Sequence, residues 1–224
     1  MNEETGLDLL EIEPEGPPGC AVIWLHGLGA DGHDFAPLVQ QWGLADELGA
    51  RFILPHAPRR PVTLNGGMVM RAWYDIYALG FAVDEDRQGI EQAHQLVVGL
   101  IRREQQRGIR SDRILLAGFS QGGAVALHTA LRYRAALAGV LALSSYLPLA
   151  ELLAEEKCAD PSSLVIRMDH GDQDPVIAFA AAERSRCVIE SQGYEVEFHR
   201  YPMAHSLCEA QMESLRNWIV QRLG

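Results

Sequence analysis

The chain has 224 residues, of which 48% are hydrophobic, and a formal net charge of −11. This length and apolar content suffice for a large core, and we expect one domain covering residues 1–224. The negative charge repels phosphate backbones, so nucleic acid is not expected as a partner.

The N-terminal stretch MNEETGLDLLEIEPEGPPG carries acidic residues where a signal peptide needs a basic start and an apolar core. No later apolar run approaches the length of a membrane span. We therefore expect a cytoplasmic protein with no integral membrane association. The cysteines are scattered without a C-x-x-C pair, which argues against a zinc ribbon or a disulfide framework. They are Cys20, Cys158, Cys187 and Cys208.

Short apolar runs without polar alternation are typical of parallel strands that are buried on both faces. In chain order they are CAVIWL (20–25), RFILP (51–55), RILLAG (113–118), LAGVLAL (137–143) and SLVIRM (163–168). Stretches with helical periodicity lie between them. One helix has a stripe of Ile90, His94, Val97 and Ile101, and the last helix has one of Met212, Leu215, Ile219 and Leu223. This alternation predicts a doubly wound α/β sheet flanked by helices.

Catalytic and ligand-binding residues of open α/β sheets lie in loops beyond the carboxyl ends of the strands. Some of these loops carry polar or glycine-rich sequence that packing alone does not require. They are HGLGADGHD (26–34), GFSQGG (118–123), HGDQDP (170–175) and PMAHS (202–206), the last following the strand YEVEFHRY (194–201).

Ser120 lies between Gly118 and Gly122 in the pattern G-x-S-x-G, with a predicted strand before it and a predicted helix after it. A sharp strand-to-helix turn exposes a serine hydroxyl but brings backbone segments so close that the residues two positions away must be small. This pattern predicts Ser120 as a catalytic nucleophile. The structural alternative is a serine that caps a tight turn.

A serine nucleophile needs a base, and the base needs an orienting acid. His205 is the candidate base because it follows a strand and precedes the final helix. Asp174 is favoured over Asp172 as the acid, although either could instead cap a helix or a turn. Three histidines are expected to have supporting roles. His26 and His33 lie in the glycine-rich loop 26–34, and His170 lies in the loop 170–175 that carries the acid.

A tetrahedral intermediate also needs hydrogen-bond donors for its negative charge. The backbone N–H groups of Gln121, after the nucleophile, and Leu28, in the glycine-rich loop, are the candidates. Asp31, His33 and Asp34 could hint at a metal, but no partner set with fixed spacing appears elsewhere. We therefore expect neither a metal nor a cofactor.

With these residues the chain resembles the small carboxylesterase, lysophospholipase and acyl-protein thioesterase family of α/β-hydrolases. The similarity covers nearly the whole chain and rests on HGLGADG (26–32), PHAP (55–58), VTLNGGMVMRAWYDI (62–76), GFSQGG (118–123), HGDQDPVI (170–177) and MAHS (203–206). It implies an α/β-hydrolase fold without a large lid domain. It also implies the same triad and oxyanion donors, namely Ser120, Asp174, His205, Leu28 and Gln121. The chain departs from the common pattern at Ala204 and Ile177, and both changes concern the shape of the pocket.

In similar enzymes the segment NGGMVMRAWYD (65–75) lies close to the active site. Its Asn65-Gly66-Gly67 predicts a hairpin turn between two short strands. Trp73 either walls an acyl pocket or packs in the core. The stretch 145–162 has room for one short helix but not for a multi-helix lid. We expect a shallow, partly open groove lined by Leu64, Met70 and Leu147.

The expected function is a serine carboxylesterase that hydrolyses short- to medium-chain carboxylic esters through an acyl-serine intermediate. An acyl-protein thioesterase and a lysophospholipase are alternatives within the family. A non-catalytic binding module that kept the hydrolase scaffold is the alternative of another class. The expected partner is a small-molecule acyl ester or thioester. A homodimer is an alternative to a monomer.

Overall fold

The computed structural model describes residues 6–78 and 84–224, so the first five residues of the acidic N-terminal stretch lie outside it. The described strands are β1 (Leu9–Ile12), β2 (Cys20–Leu25), β3 (Ala50–Pro55), β4 (Arg59–Val62), β5 (Met68–Arg71), β6 (Ile114–Phe119), β7 (Gly139–Leu143), β8 (Ile166–Gly171) and β9 (Val196–Tyr201). All except β4 and β5, which form a separate hairpin, belong to one central sheet.

The central sheet has the strand order β1-β3-β2-β6-β7-β8-β9. Only β1, at one edge, is antiparallel to its neighbour; the other described strands of this sheet run parallel. The chain first moves from β2 outward to β3 and later returns to the opposite side of β2 with β6. The loops that follow β2 and β6 therefore meet where the strand order reverses, which is where α/β sheets bind ligands.

Helices cover both faces of the sheet. The described helices are α1 (Ala36–Trp42), α2 (Leu44–Leu48), α3 (Arg87–Gln106), α4 (Gln121–Arg132), α5 (Leu153–Glu156), α6 (Phe179–Ser191) and α7 (Glu209–Leu223). Apolar side chains of α3, α4 and α6 pack in the core on one face, and those of α1, α2 and α7 pack on the other. The mostly parallel sheet flanked by helices confirms the predicted fold class.

Some element boundaries differ from the prediction. The strand predicted at 163–168 begins at Ile166 and continues to Gly171, because β9 pairs with it as far as Gly171. His170 therefore lies in a strand and not in a loop. The hairpin turn covers five residues, 63–67, since Val62 pairs with Met68. Gly66 and Gly67 both have positive φ there, as the glycine-rich turn requires.

The stretch between β7 and β8 holds a short 3-10 turn and the four-residue helix α5. This confirms the expectation that the stretch 145–162 holds no multi-helix lid. Among the described helices, none is both long enough and apolar enough to cross a membrane.

Candidate active site

Ser120 occupies the sharp turn between β6 and α4. Its backbone has φ 54° and ψ −122°, a conformation that residues other than glycine rarely adopt. Two contacts hold the turn: the Ser120 N–H donates to the Leu143 carbonyl at 2.8 Å, and the Ser145 hydroxyl donates to the Ser120 carbonyl at 2.7 Å. The neighbouring strand β7 and the residues after it thus stabilise the strained serine.

The two glycines that flank Ser120 are required by close backbone packing. A Cβ on Gly118 would lie 2.3 Å from the carbonyl carbon of Gly122. A Cβ on Gly122 would lie 2.3 Å from the carbonyl oxygen of Leu25 at the end of β2. Real Cβ atoms do not approach other atoms so closely, so a side chain at either position would force α4 away from the sheet.

The structure brings Ser120, His205 and Asp174 into one hydrogen-bonded chain. The Ser120 hydroxyl lies 2.9 Å from His205 Nε2, and His205 Nδ1 lies 2.7 Å from Asp174 Oδ2. Since a carboxylate can only accept, the proton lies on Nδ1 and Nε2 is free to accept from the serine. The His205 ring also packs against Phe119, with 4.8 Å between ring centroids. These distances suit a serine nucleophile with a histidine base.

The Asp174 carboxylate is fixed on both of its oxygens. Its Oδ1 accepts the backbone N–H groups of Val176 and Ile177 at 2.8 and 2.9 Å, while its Oδ2 faces His205. The side chain has no exposed surface. Asp172 instead points to Arg200, whose Nε lies 3.1 Å from its Oδ2. Of the two aspartates, only Asp174 therefore contacts the histidine.

His170 contacts both Asp174 and the residues that follow it. Its Nε2 lies 2.8 Å from the Ile177 carbonyl and 3.5 Å from Asp174 Oδ2. Burial lowers the pKa of His170, so the ring is neutral at physiological pH and its Nε2–H donates to that carbonyl. The supporting role expected for this histidine agrees with its position.

The predicted oxyanion donors, Leu28 and Gln121, both border the cavity in front of Ser120. Within residues 6–78 and 84–224, neither backbone N–H has a protein acceptor. The loop after β2 is close to the serine, because a Cβ on Gly27 would lie 3.4 Å from the Ser120 Cβ. Both N–H groups are therefore without competing acceptors among the described residues, as the predicted oxyanion role requires.

The side chain of Gln121 has a different task from its backbone. Its Oε1 accepts the Trp73 N–H at 2.9 Å, and its Nε2 donates to the Tyr74 carbonyl at 2.8 Å. Both bonds are buried and tie the start of α4 to the segment that follows β5. Sequence reasoning identified the backbone N–H of Gln121 but missed this link between the turn at Ser120 and the segment after β5.

The cavity in front of Ser120 has a volume of about 860 Å³, within the range of small-molecule sites. Leu64 and Leu147 line it, as predicted from the sequence, and so does Ile177. The prediction was wrong for Met70 and for Trp73 as a pocket wall, since neither lines the cavity.

Local contacts explain where these two side chains lie instead. Trp73 is fully buried and donates its Nε1–H to the His26 carbonyl at 2.9 Å, so the core alternative is the correct one. The sulfur of Met70 turns toward Asn65, whose Nδ2 lies 3.6 Å away.

Sequence reasoning missed much of the cavity wall. One side comes from α6 and the residues before it, including Val176, Ala181 and Val188. Several carboxylates also line the cavity; they are Asp34, Asp75, Asp84, Glu85, Asp86 and Glu151. No local motif marks these residues, because the fold collects them from distant parts of the chain.

Asp31, His33 and His56 form a cluster of potential metal ligands in the loop region where the sequence suggested one. Their potential ligand atoms lie within 4.8 Å of one another, and Asp34 is not part of the group. The rings of His33 and His56 stack with 5.1 Å between centroids and 29° between their planes. The Nδ1 atom of His56 is already used, because it accepts the Gly32 N–H at 2.9 Å.

The chain is similar in sequence and in fold to known proteins. A family model described as Phospholipase/Carboxylesterase matches residues 10–223. Acyl-protein thioesterase 1 of Neurospora crassa is 41% identical over 213 residues, which cover 91% of this chain and 87% of that protein. Acyl-protein thioesterase 1 of Cryptococcus neoformans is 35% identical and covers 98% of this chain and 99% of its own. The crystal structure of Zea mays acyl-protein thioesterase 2 superimposes with a TM-score of 0.86 at 28% identity, covering 97% and 99% of the two chains.

Proposed function

The chain belongs to the phospholipase/carboxylesterase family of α/β-hydrolases, and we propose that within it the protein is a thioesterase that removes acyl groups from acylated proteins. It is a serine hydrolase of esters or thioesters. The relatives named above support the thioesterase alternative better than the carboxylesterase of short- to medium-chain esters that the sequence first suggested. A single domain and a cytoplasmic location remain parts of this proposal.

The first half of the reaction transfers the acyl group to the enzyme. His205 Nε2 takes the hydroxyl proton of Ser120 while Oγ attacks the thioester carbonyl. The N–H groups of Leu28 and Gln121 stabilise the oxygen anion of the tetrahedral intermediate. The carbon–sulfur bond then breaks, the sulfur leaves with the proton held by His205, and Ser120 keeps the acyl group as an ester.

The second half releases the acid. His205 takes a proton from water, the hydroxide attacks the acyl-serine carbonyl, and the carbon–oxygen bond to Ser120 breaks. The serine oxygen recovers its proton from His205, so the enzyme returns to its starting state. Asp174 holds the ring in the required tautomer and stabilises its charged form throughout.

The observation that carries this proposal is the hydrogen-bonded chain of Ser120, His205 and Asp174 at a cavity whose lining is in part apolar. Leu64, Leu147 and other apolar residues of the wall offer contacts to an acyl chain. The glycerol ester of a lysophospholipid has the same acyl chemistry, so only rates can rank the substrates.

The test uses a peptide that carries one acyl group on cysteine, together with the matched ester on serine. We expect release of the thiol with a higher kcat/KM than hydrolysis of the ester, and loss of both activities in Ser120→Ala. Ser191→Ala, which alters an exposed serine at the end of α6, serves as control and keeps full activity. Hydrolysis of the ester alone would contradict the thioesterase proposal and indicate a carboxylesterase. Failure of a fluorophosphonate to label Ser120 would indicate a non-catalytic binding module.

A further inference from the structure

His26, the first residue after β2, connects the glycine-rich loop 26–32 to the strand next to it. We propose that His26 is a positioning residue for the oxyanion hole: its ring fixes the Gly27–Leu28 peptide so that the Leu28 N–H faces the reacting carbonyl. This inference rests on the proposed function, because it assigns a role in the same reaction. His26 itself does not line the cavity, so it acts through the loop.

The hydrogen bonds of the ring fix its tautomer. The Ala57 N–H donates to His26 Nε2 at 2.9 Å, and a backbone N–H can only donate. Nε2 is therefore the acceptor of the neutral ring, and the proton lies on Nδ1. That Nδ1–H donates to the Gly27 carbonyl at 2.7 Å. Both bonds are buried, and the residue has no exposed surface.

The Gly27 carbonyl and the Leu28 N–H belong to the same peptide unit. In a planar trans peptide these two groups point in opposite directions, and the described residues contain no cis peptide. Holding the carbonyl toward His26 thus turns the Leu28 N–H the other way. Both residues border the cavity beside Ser120, and in the described parts of the chain no protein atom accepts the Leu28 N–H.

The surroundings keep the ring in this state. Burial lowers the pKa of His26 to about 4, so near neutral pH the ring carries one proton and one acceptor. The Trp73 Nε1–H donates to the His26 carbonyl at 2.9 Å and fixes its main chain. At the far side of the peptide, the Gly29 N–H donates to the Arg71 carbonyl at 2.8 Å. The Gly27–Leu28 peptide is thus held from both ends.

Two substitutions of His26 separate this role from a purely structural one. The amide nitrogen of asparagine occupies nearly the place of Nδ1, so His26→Asn keeps a donor for the Gly27 carbonyl and loses the acceptor for Ala57. The amide oxygen of glutamine reaches the place of Nε2, so His26→Gln keeps the acceptor and loses the donor. A positioning role predicts that asparagine rescues activity and glutamine does not.

We expect His26→Gln to lower kcat by about 10- to 100-fold with little change in KM, less than the 10²- to 10³-fold lost when an oxyanion donor is removed outright. His26→Asn should lower kcat by no more than about 2- to 5-fold, which is a third of that effect on a logarithmic scale. Binding of an alkyl boronic acid, which forms a tetrahedral adduct on Ser120, should weaken in parallel with kcat. His199→Gln, on β9, is the matched control and leaves kcat unchanged.

Equal kcat values for the two variants, or greater activity of His26→Gln, would overturn the inference. If neither variant folds, as judged by thermal unfolding, ¹⁵N NMR of the wild-type imidazoles decides: a protonated Nδ1 on His26 supports the inference and a protonated Nε2 overturns it. Failure of the wild type to hydrolyse any thioester or ester would refute the proposed function instead. The two failures are thus distinguishable.

Discussion

Replacing Asp174 by asparagine tests the acid with almost no change in shape. Oδ1 accepts two backbone N–H groups, from Val176 and Ile177. The asparagine oxygen must occupy this place, because an NH₂ group there would face two donors. The NH₂ group then faces His205 and donates to Nδ1, which moves the ring proton to Nε2. A ring protonated at Nε2 cannot accept the proton of Ser120.

The expected loss follows from this inverted tautomer. In serine proteases the same substitution lowers kcat by about 10⁴-fold, and the hydrogen-bond arrangement at Asp174 is equivalent. Near 25 °C this corresponds to about 5.4 kcal/mol in the activation free energy. The fold should be retained, since both backbone N–H groups keep their acceptor.

The assay is kcat for thiol release from an acylated cysteine peptide, with thermal unfolding as the measure of folding. Asp172→Asn is the matched control, because Asp172 pairs with Arg200 and does not contact His205. We expect the control to keep kcat within a few-fold of the wild type. A larger loss in Asp172→Asn than in Asp174→Asn would refute the assignment of the acid.

Other predictions concern packing, pH and access to the site. Gly122→Ala should lower the free energy of unfolding in urea by about 1–3 kcal/mol, since its Cβ would lie 2.3 Å from the Leu25 carbonyl oxygen; Gly16→Ala, with no atom within 4 Å, should not. Burial lowers the pKa of His128 to about 3, so below about pH 6.5 this histidine binds a proton in the unfolded chain but not in the folded one. The free energy of unfolding therefore decreases as the pH is lowered below about 6.5. In urea titrations His128→Met should therefore lose about 1.4 kcal/mol less than the wild type between pH 7.5 and 5.5, and an equal loss would contradict this. Because the stretch between β7 and β8 holds a 3-10 turn and the short helix α5 but no multi-helix lid, rates on a short-chain triglyceride should saturate without a jump at its solubility limit; a jump would indicate a lid.

The elements that sequence predicts best are those fixed by local pattern. The strand CAVIWL agrees in both bounds with β2, because an uninterrupted apolar run suits a strand buried on both faces. The sharp strand-to-helix turn at Ser120 is predictable because the close backbone packing of the turn itself requires glycine at positions 118 and 122. In each case the cause lies within a few residues of the signal.

Features that depend on tertiary packing were harder to predict. The apolar and aromatic side chain of Trp73 suits a core and a pocket wall equally well, and only the folded structure, with its full burial and its bond to the His26 carbonyl, distinguishes them. His170 lies in β8 because β9 extends the pairing, which no pattern within HGDQDP reveals. The cavity carboxylates, such as Glu85 and Glu151, come together only in the folded chain.

The central claim is that Ser120 accepts the acyl group of a protein thioester. Its most direct test is rapid mixing of the enzyme with an acylated cysteine peptide, acid quenching, and mass spectrometry of the intact and digested protein. We predict a mass increase equal to one acyl group minus one hydrogen, located on Ser120 and absent from Ser120→Ala. Release of the thiol without acylation of Ser120, or acylation of another residue such as Cys208, would contradict the account.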